Sequence, residues 1–246
     1  MQQSNKSFAL WLGLLIGGSL LVSSVIFALT LYRARTSDNA LSVTGSATTE
    51  VVSDTVRWTG SFTRTAKLAA LKTGYEQMAK DLTLVREFLL INGIAESDVT
   101  VSTIFMNQDY SSMNQNVSAS EREYILNQTI EINSTDVAKI TALAKNVQSL
   151  IDKGVIFSSN PLEYYYSNLP ETRVALLSDA LKDAKARAQK IAETTGDRVG
   201  ALQSASSGVV QVLSPNSVDV SDYGAYDTAS LNKSIMVTVK ASFNLR

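Results

Sequence analysis

From Ser7 to Tyr32 the chain carries no charged residue, and Phe8 to Leu31 within that span is mostly Leu, Ile, Val, Phe, Ala and Gly. As a helix rising about 1.5 Å per residue, this stretch is about 36 Å long, enough to cross a hydrocarbon layer of about 30 Å with some tilt. A cleavable signal peptide has an apolar core of about 7 to 15 residues followed by small residues. Here the run passes into Tyr32-Arg33-Ala34-Arg35 instead. The expectation is one N-terminal transmembrane helix: residues 1–35 form an uncleaved anchor, and residues 8–31 meet the membrane. Trp11 and Tyr32 stand near the two ends, where amphipathic rings favour the headgroup region. Lys6 and the amino terminus balance Arg33 and Arg35, so the positive-inside count does not set the orientation. Gly13 and Gly17 form a G-x-x-x-G, a candidate helix-pairing face that would let two helices approach closely.

The anchor leaves residues 36–246 for one α+β extracytoplasmic domain, with room for two subdomains. All 23 acidic residues follow the anchor with 19 of the 22 basic ones, so this part carries about four negative charges. Such a balance does not fit a nucleic-acid binder. The chain has no His and no Cys. A Ser-His-Asp or Cys-His catalytic unit, a zinc site of the usual ligands and a disulfide are therefore excluded.

Beyond a short polar linker at Thr36 to Ala40, the period of the apolar residues predicts the elements. A short strand is expected around Leu41 to Gly45 and a half-buried one through Val56, Trp58 and Phe62. From Lys67 the spacing of Leu68, Leu71, Tyr75, Met78, Leu82, Val85 and Leu89 is helical, with a stop at Asn92-Gly93. Strand patterns follow at Val99 to Met106 and Tyr124 to Ile132, separated by a polar stretch from Asn107 to Glu123. A second helix is predicted from Asp136 to Lys153, with Ile140, Leu143, Val147 and Leu150 on one face. A third runs from Pro170 to Thr195, where Ala180, Ala184, Ala188 and Ala192 form an i, i+4 row beside Leu177, Leu181 and Ile191. That row permits close approach to a sheet or another helix. Strands are expected at Val199 to Ala205 and Val209 to Leu213, then a polar loop from Ser214 to Lys233. Last comes an alternating strand through Ile235, Val237, Val239, Ala241 and Phe243. The pattern describes an α+β fold, with mixed or antiparallel sheets and amphipathic helices packed on one face.

This layout resembles a known family. The residues that carry the likeness are Leu41-Ser-Val-Thr-Gly-Ser-Ala-Thr-Thr-Glu50, Asp54-Thr-Val and Asn92-Gly-Ile-Ala-Glu-Ser-Asp-Val-Thr-Val101. To these are added Ala180-Leu-Lys-Asp-Ala-Lys-Ala-Arg-Ala-Gln-Lys-Ile-Ala192, Gly196, Val199-Gly200 and the terminal strand. In this order they are similar to the SIMPL domain family of bacterial envelope proteins, which includes YggE-like and periplasmic immunogenic proteins. The resemblance implies an α+β fold and an extracytoplasmic location; with the apolar N-terminal segment, the expectation is a single-pass protein of the bacterial inner membrane. The resemblance also implies a loose association with oxidative or envelope stress, and in some members ring-like self-assembly. It carries no catalytic motif. The chain departs from the family pattern before its last strand, where Leu231-Asn-Lys-Ser234 replaces a Pro-Gly turn.

Few side chains suggest chemistry. Asp179 and Asp183 are four apart on one helix, as an acid/base pair would be, but Lys182, Lys185 and Arg187 around them describe a solvated, charge-mixed surface. Asp219, Asp222 and Asp227 crowd a loop with Gly224 without meeting the calcium-loop template. Tyr164 and Tyr166 are expected to alternate into the core while Tyr165 faces out, and Tyr223 and Tyr226 sit on the late loop, where aromatic rings can anchor a partner. Asn116, Asn127, Asn133 and Asn232 head glycosylation-type triplets, a pattern frequent by chance in a polar chain. A Ser-Lys pair remains open, although no glycine-rich nucleophile turn surrounds any serine. The expectation is a non-catalytic binding or self-assembling homo-oligomer, with no catalytic residue, no metal, no cofactor and no nucleic-acid partner, and a ligand not identified by sequence. Two other classes stay open: a hydrolase using carboxylates or a Ser-Lys pair, and a ligand-binding sensor.

Overall fold

The computed structural model describes residues 4–36, 40–109 and 122–246. Asn116, most of the polar stretch after Asn107 and residues 37–39 of the expected linker lie outside the described residues, as do the side chains of Lys6, Tyr32, Arg33 and Arg35. The first helix, α1, is Ser4–Thr36, and Trp11–Leu31 within it is long and apolar enough to cross a membrane. Its large apolar side chains, from Trp11 to Leu31, are exposed. A Cβ added at Gly13 or Gly17 meets nothing within 4 Å, so this face of the helix is open.

The rest is α+β, in two compact units. The first comprises Met1–Ala47, Leu177–Gly208 and Val237–Arg246; the second comprises Thr48–Leu176 and Val209–Met236. Strand β1 (Ala40–Val52), helix α5 (Leu169–Thr195) and strand β11 (Asn232–Leu245) each give residues to both.

In the second unit β2 (Thr55–Lys67) pairs antiparallel with β5 (Glu123–Ser134) from Val56 opposite Ser134 to Lys67 opposite Glu123. The two-residue side-chain period sends Val56, Trp58 and Phe62 to one face with Leu126, Ile130 and Ile132, all fully or almost fully buried. Strand β5 also pairs with β3 (Val99–Val101) and β4 (Phe105–Gln108), and β2 with β6 (Phe157–Ser159) and β7 (Glu163–Tyr165). Helices α2 (Leu71–Ile91), α3 (Val137–Lys145) and α4 (Gln148–Asp152) contribute Met78, Val85, Leu89, Ile140, Leu143 and Leu150 to this core. The unit also holds β9 (Gln211–Leu213), antiparallel to β11 at Ser234–Met236, and β10 (Ala225–Tyr226), parallel to β9.

In the first unit β8 (Val199–Ser207) pairs antiparallel with β11 from Val239 to Leu245. Ala180, Ala184 and Ala188 of α5 pack with Val43, Val239, Ala241 and Phe243. The alanine row thus meets a sheet. At Gly45 of β1 a Cβ would collide with the Ala180 carbonyl and the Ala184 backbone, with the Ala184 Cα at 2.7 Å. Glycine is required there because helix and strand backbones touch.

Several expected boundaries are corrected. The first strand does not stop at Gly45. It continues through Thr48, Thr49, Val51 and Val52, β-branched residues suited to a pleated sheet. The expected strand from Val99 to Met106 is two strands, interrupted where the Ser102 carbonyl accepts from Gln128 and the Ser102 hydroxyl accepts the Thr129 N–H. The expected helix from Asp136 to Lys153 breaks at Asn146, whose N–H turns back to the Leu143 carbonyl three residues away and ends the α-helical ladder. The loop from Ser214 to Lys233 contains β10. On α2 the expected face is largely kept, with Met78, Val85 and Leu89 buried and Leu71 and Leu82 packed against the core, but the buried stripe also takes in Gly74, Asp81 and Phe88, while Tyr75, and Leu68 just before the helix, are exposed. Ile191 of α5 is likewise exposed. The stops at Gly93 and Gly196 are as expected, with φ of 76° and 81° that favour glycine.

Candidate functional site

A dense polar construction in the second unit surrounds Lys233, next to the start of β11. Lys233 occupies an inward position of β11, two before Ile235, and is fully buried. Its Nζ donates to the Asp227 and Ser230 carbonyls, the latter at 2.8 Å, and lies 5.5 Å from the centre of the Tyr226 ring. Burial pushes the Lys233 ammonium below its ordinary range, with Asp227 opposing the shift. The Asp227 carboxylate in turn accepts the N–H groups of Ala229 at 3.0 Å and Ser230 at 3.2 Å. The Tyr226 ring packs on Tyr165 at 6.0 Å, and the Tyr226 hydroxyl accepts the Tyr166 N–H. Lys233 therefore acts as a tie: its hydrogens are committed to carbonyls, and the loop from Asp227 to Ser230 is wrapped around it.

A second tie lies at the other end of this loop. Gln211 on β9 is buried, and its amide grips Ser221, the Nε2 donating to the Ser221 carbonyl at 2.5 Å and the Oε1 accepting the Ser221 N–H at 3.4 Å. The Gly224 N–H closes a turn on the Ser221 carbonyl, with φ of 86° at Gly224. The loop is held at Ser221 and again at Asp227 to Ser230, while its apolar side chains on either side of Ser221 point into solvent: Val218 is 88% exposed, Val220 63% and Tyr223 97%. Asp219 and Asp222 between them are exposed as well. Such order without burial is the geometry of a presented surface.

A groove of about 470 Å³ lies between α3 and the β1–β2 turn, with Leu231 from the base of the same loop in its wall. Val52, Ala138, Ala142 and Leu231 give it apolar walls, with Thr141 and Lys145 at its edge. Ser53 also lines it; this residue is 4% exposed, and its hydroxyl has no hydrogen-bond partner among the described residues.

The sequence-predicted candidates are not brought together. Asp179 pairs with Lys182 at 2.8 Å, and Asp183 with Arg187 at 2.8 Å and with the Ser46 N–H at 2.8 Å. The Ser46 N–H, followed by Arg187, holds the Asp183 carboxyl below its usual range. Each acid is thus engaged by a cation, as a charge-mixed surface requires. Asp227 is spent on its own turn, apart from Asp219 and Asp222. Tyr164 packs against the core as expected, but Tyr165 does not simply face out: it donates to Glu163 at 2.6 Å, which raises its pKa, and stacks on Tyr226. Tyr166 lies past the end of β7, its hydroxyl 3.2 Å from Thr172. Asn127 and Asn133 sit within β5, and Asn232 opens β11.

A family model described as SIMPL, protein of unknown function (DUF541), matches residues 41–243. The chain belongs to the SIMPL family. No curated protein matches it. The match ends near the close of β11 and takes in the two ties of this SIMPL chain, at Gln211 and Lys233.

Sequence reading missed Lys233, Gln211 and Asp81. For Lys233 a signal existed: the alternation of the last strand, extended one step before Ile235, lands on it. For Asp81 the 4, 3, 4, 3 spacing through Gly74, Met78, Asp81, Val85 and Phe88 was available, masked by the preference for reading an acid as exposed. Nothing local marks Gln211, whose partner is ten residues away in a loop.

Proposed function

We propose that this SIMPL chain is a non-catalytic extracytoplasmic protein, held in the bacterial inner membrane by α1 and acting by binding and self-assembly. The observation that carries the assembly element is strand β8. It pairs with β11 alone among the described strands, Ala201 to Ser207 are exposed, and its nine residues contain neither a charge nor a proline. Edge strands that must stay unpaired are usually guarded by such residues, because a row of free N–H and C=O groups is a template for another strand. The absence of imidazole and thiol groups, and the engagement of Asp179, Asp183 and Asp227 by neighbouring cations or backbone, support a role without chemistry. The family likeness supports the extracytoplasmic placement and a link to oxidative or envelope stress.

The test is the mass of the full chain in detergent, by light scattering across a concentration series. An oligomer that shrinks when Leu202→Lys and Ala205→Pro blunt the edge is the expected result, since the register with β11 leaves the Ala205 N–H on the open side; a strict monomer at every concentration removes the assembly element. Because the chain has no cysteine, Ser97→Cys reports topology. Labelling by a membrane-impermeant maleimide in intact cells is expected, and labelling only after lysis would reverse the orientation.

A further inference from the structure

We propose that the loop carrying Val218, Val220 and Tyr223 docks into the groove beside α3 of a second copy of this chain. The proposal rests on the self-assembly reading above and names a contact distinct from the β8 edge. The two surfaces are complementary in charge and both are apolar. The loop is held at Ser221 by the buried Gln211 amide and exposes three apolar side chains, Val218, Val220 and Tyr223, around two carboxylates, Asp219 and Asp222, that make no ion pair among the described residues. The groove is concave and apolar, and it is rimmed by Lys145, which also makes no ion pair among the described residues. Lys139 on the same helix already has Asp136 at 3.8 Å, so Lys145 is the cation of α3 left for an incoming acid.

Where each copy offers its loop to one neighbour and its groove to another, the contact is head-to-tail and repeats from copy to copy; where two copies exchange loops reciprocally, it closes as a two-fold dimer. Three side chains bury less than the ~1,200 Å² of a stable interface. The contact is therefore weak between free molecules and gains strength from confinement of the copies to one membrane plane, where the effective concentration rises.

Cysteine cross-linking of the full chain in proteoliposomes tests this directly. A population carrying Val220→Cys is mixed with one carrying Ala142→Cys and oxidised, so that a mixed disulfide reports contact between copies only. The expected result is a mixed dimer at several times the yield given when Val220→Cys is paired with Glu76→Cys, on another helix. The yield should fall about tenfold when Asp219→Lys and Asp222→Lys are added to the loop partner, and recover when Lys145→Glu is added to the groove partner. A mixed-dimer yield equal to that of the Glu76→Cys control overturns the proposal. So does a yield indifferent to the charge changes. The mass measurement separates the two levels: an oligomer without the loop–groove cross-link removes this contact and leaves the assembly reading standing, whereas a monomer removes both.

Discussion

Arg64 and Asp81 show what a single buried residue demands of its surroundings. Asp81, on the inward face of α2, is 2% exposed, and the Arg64 guanidinium grips it with Nε–Oδ2 at 2.6 Å and Nη2–Oδ1 at 2.8 Å while Nη2 also reaches the Gly154 carbonyl at 2.7 Å. Removing one partner strands the other. Arg64→Ala is expected to cost about 3 kcal/mol in a urea titration, because an unpaired carboxylate is left in the core. Replacing both residues by Leu is expected to cost less than Arg64→Ala alone. Asp54 gives a pH dependence. Burial pushes its carboxyl up, but the Ser167 hydroxyl and N–H and the Thr55 hydroxyl outweigh that and hold it below its usual value. A carboxyl with a depressed folded pKa contributes stability above its unfolded value, about 3.9, and that contribution disappears as pH falls through the folded value. Melting temperature measured from pH 2 to 6 should therefore fall less steeply on the acid side in Asp54→Asn than in the parent. Lys233 has the opposite sign: its folded value is lowered by burial, so the penalty of burying the ammonium is fully present below the folded value and is relieved as pH rises from there toward about 10.4. Of these residues, Asp54 was legible as part of a family segment and Lys233 only as a break in the family pattern. Asp81 was hidden, since period alone does not distinguish a paired acid facing inward from a free one facing out.

Among the elements, α5 and β1 carry the tightest constraint. The alanine row was legible in full, because four small residues at i, i+4 spacing have few uses other than close approach. What they approach was not, because the complementary signal is the single Gly45, which on its own reads as the end of a strand. Gly45→Val is expected to destabilise by about 3 kcal/mol in the same titration, since neither the Ala180 carbonyl nor the Ala184 backbone can yield without unseating the helix. A loss under about 1 kcal/mol would show that the two backbones separate easily. The second helix was misread for the converse reason. Its apolar positions keep helical spacing across Asn146, so periodicity passes through a break that only local hydrogen bonding records. Strand β8, with its small uncharged residues, gave a strand signal but no hint that both its faces would lie open.

At the scale of the molecule, the apolar N-terminal helix was the most legible feature, because length and absence of charge suffice, and α1 extends over the whole stretch. If α1 spans the bilayer, Leu20→Arg near its centre carries a penalty of about 3 kcal/mol for insertion. The expected outcome is a larger share of protein extracted from membranes by alkaline carbonate. The division into units was less legible, because each is gathered from separated segments that a reading along the chain cannot group. That arrangement bears on how the protein is made. The first unit includes the final ten residues, Val237–Arg246, and its core uses Val239, Ala241 and Phe243 beside Val43 from the start of the chain. During synthesis, roughly 5 to 20 residues emerge each second, and the growing polypeptide must hold Val43 and the α5 alanines exposed until Val239, Ala241 and Phe243 have been made. Without β11 the early-made β1 would lack its neighbour, so the packing of the first strand waits on a segment almost two hundred residues downstream.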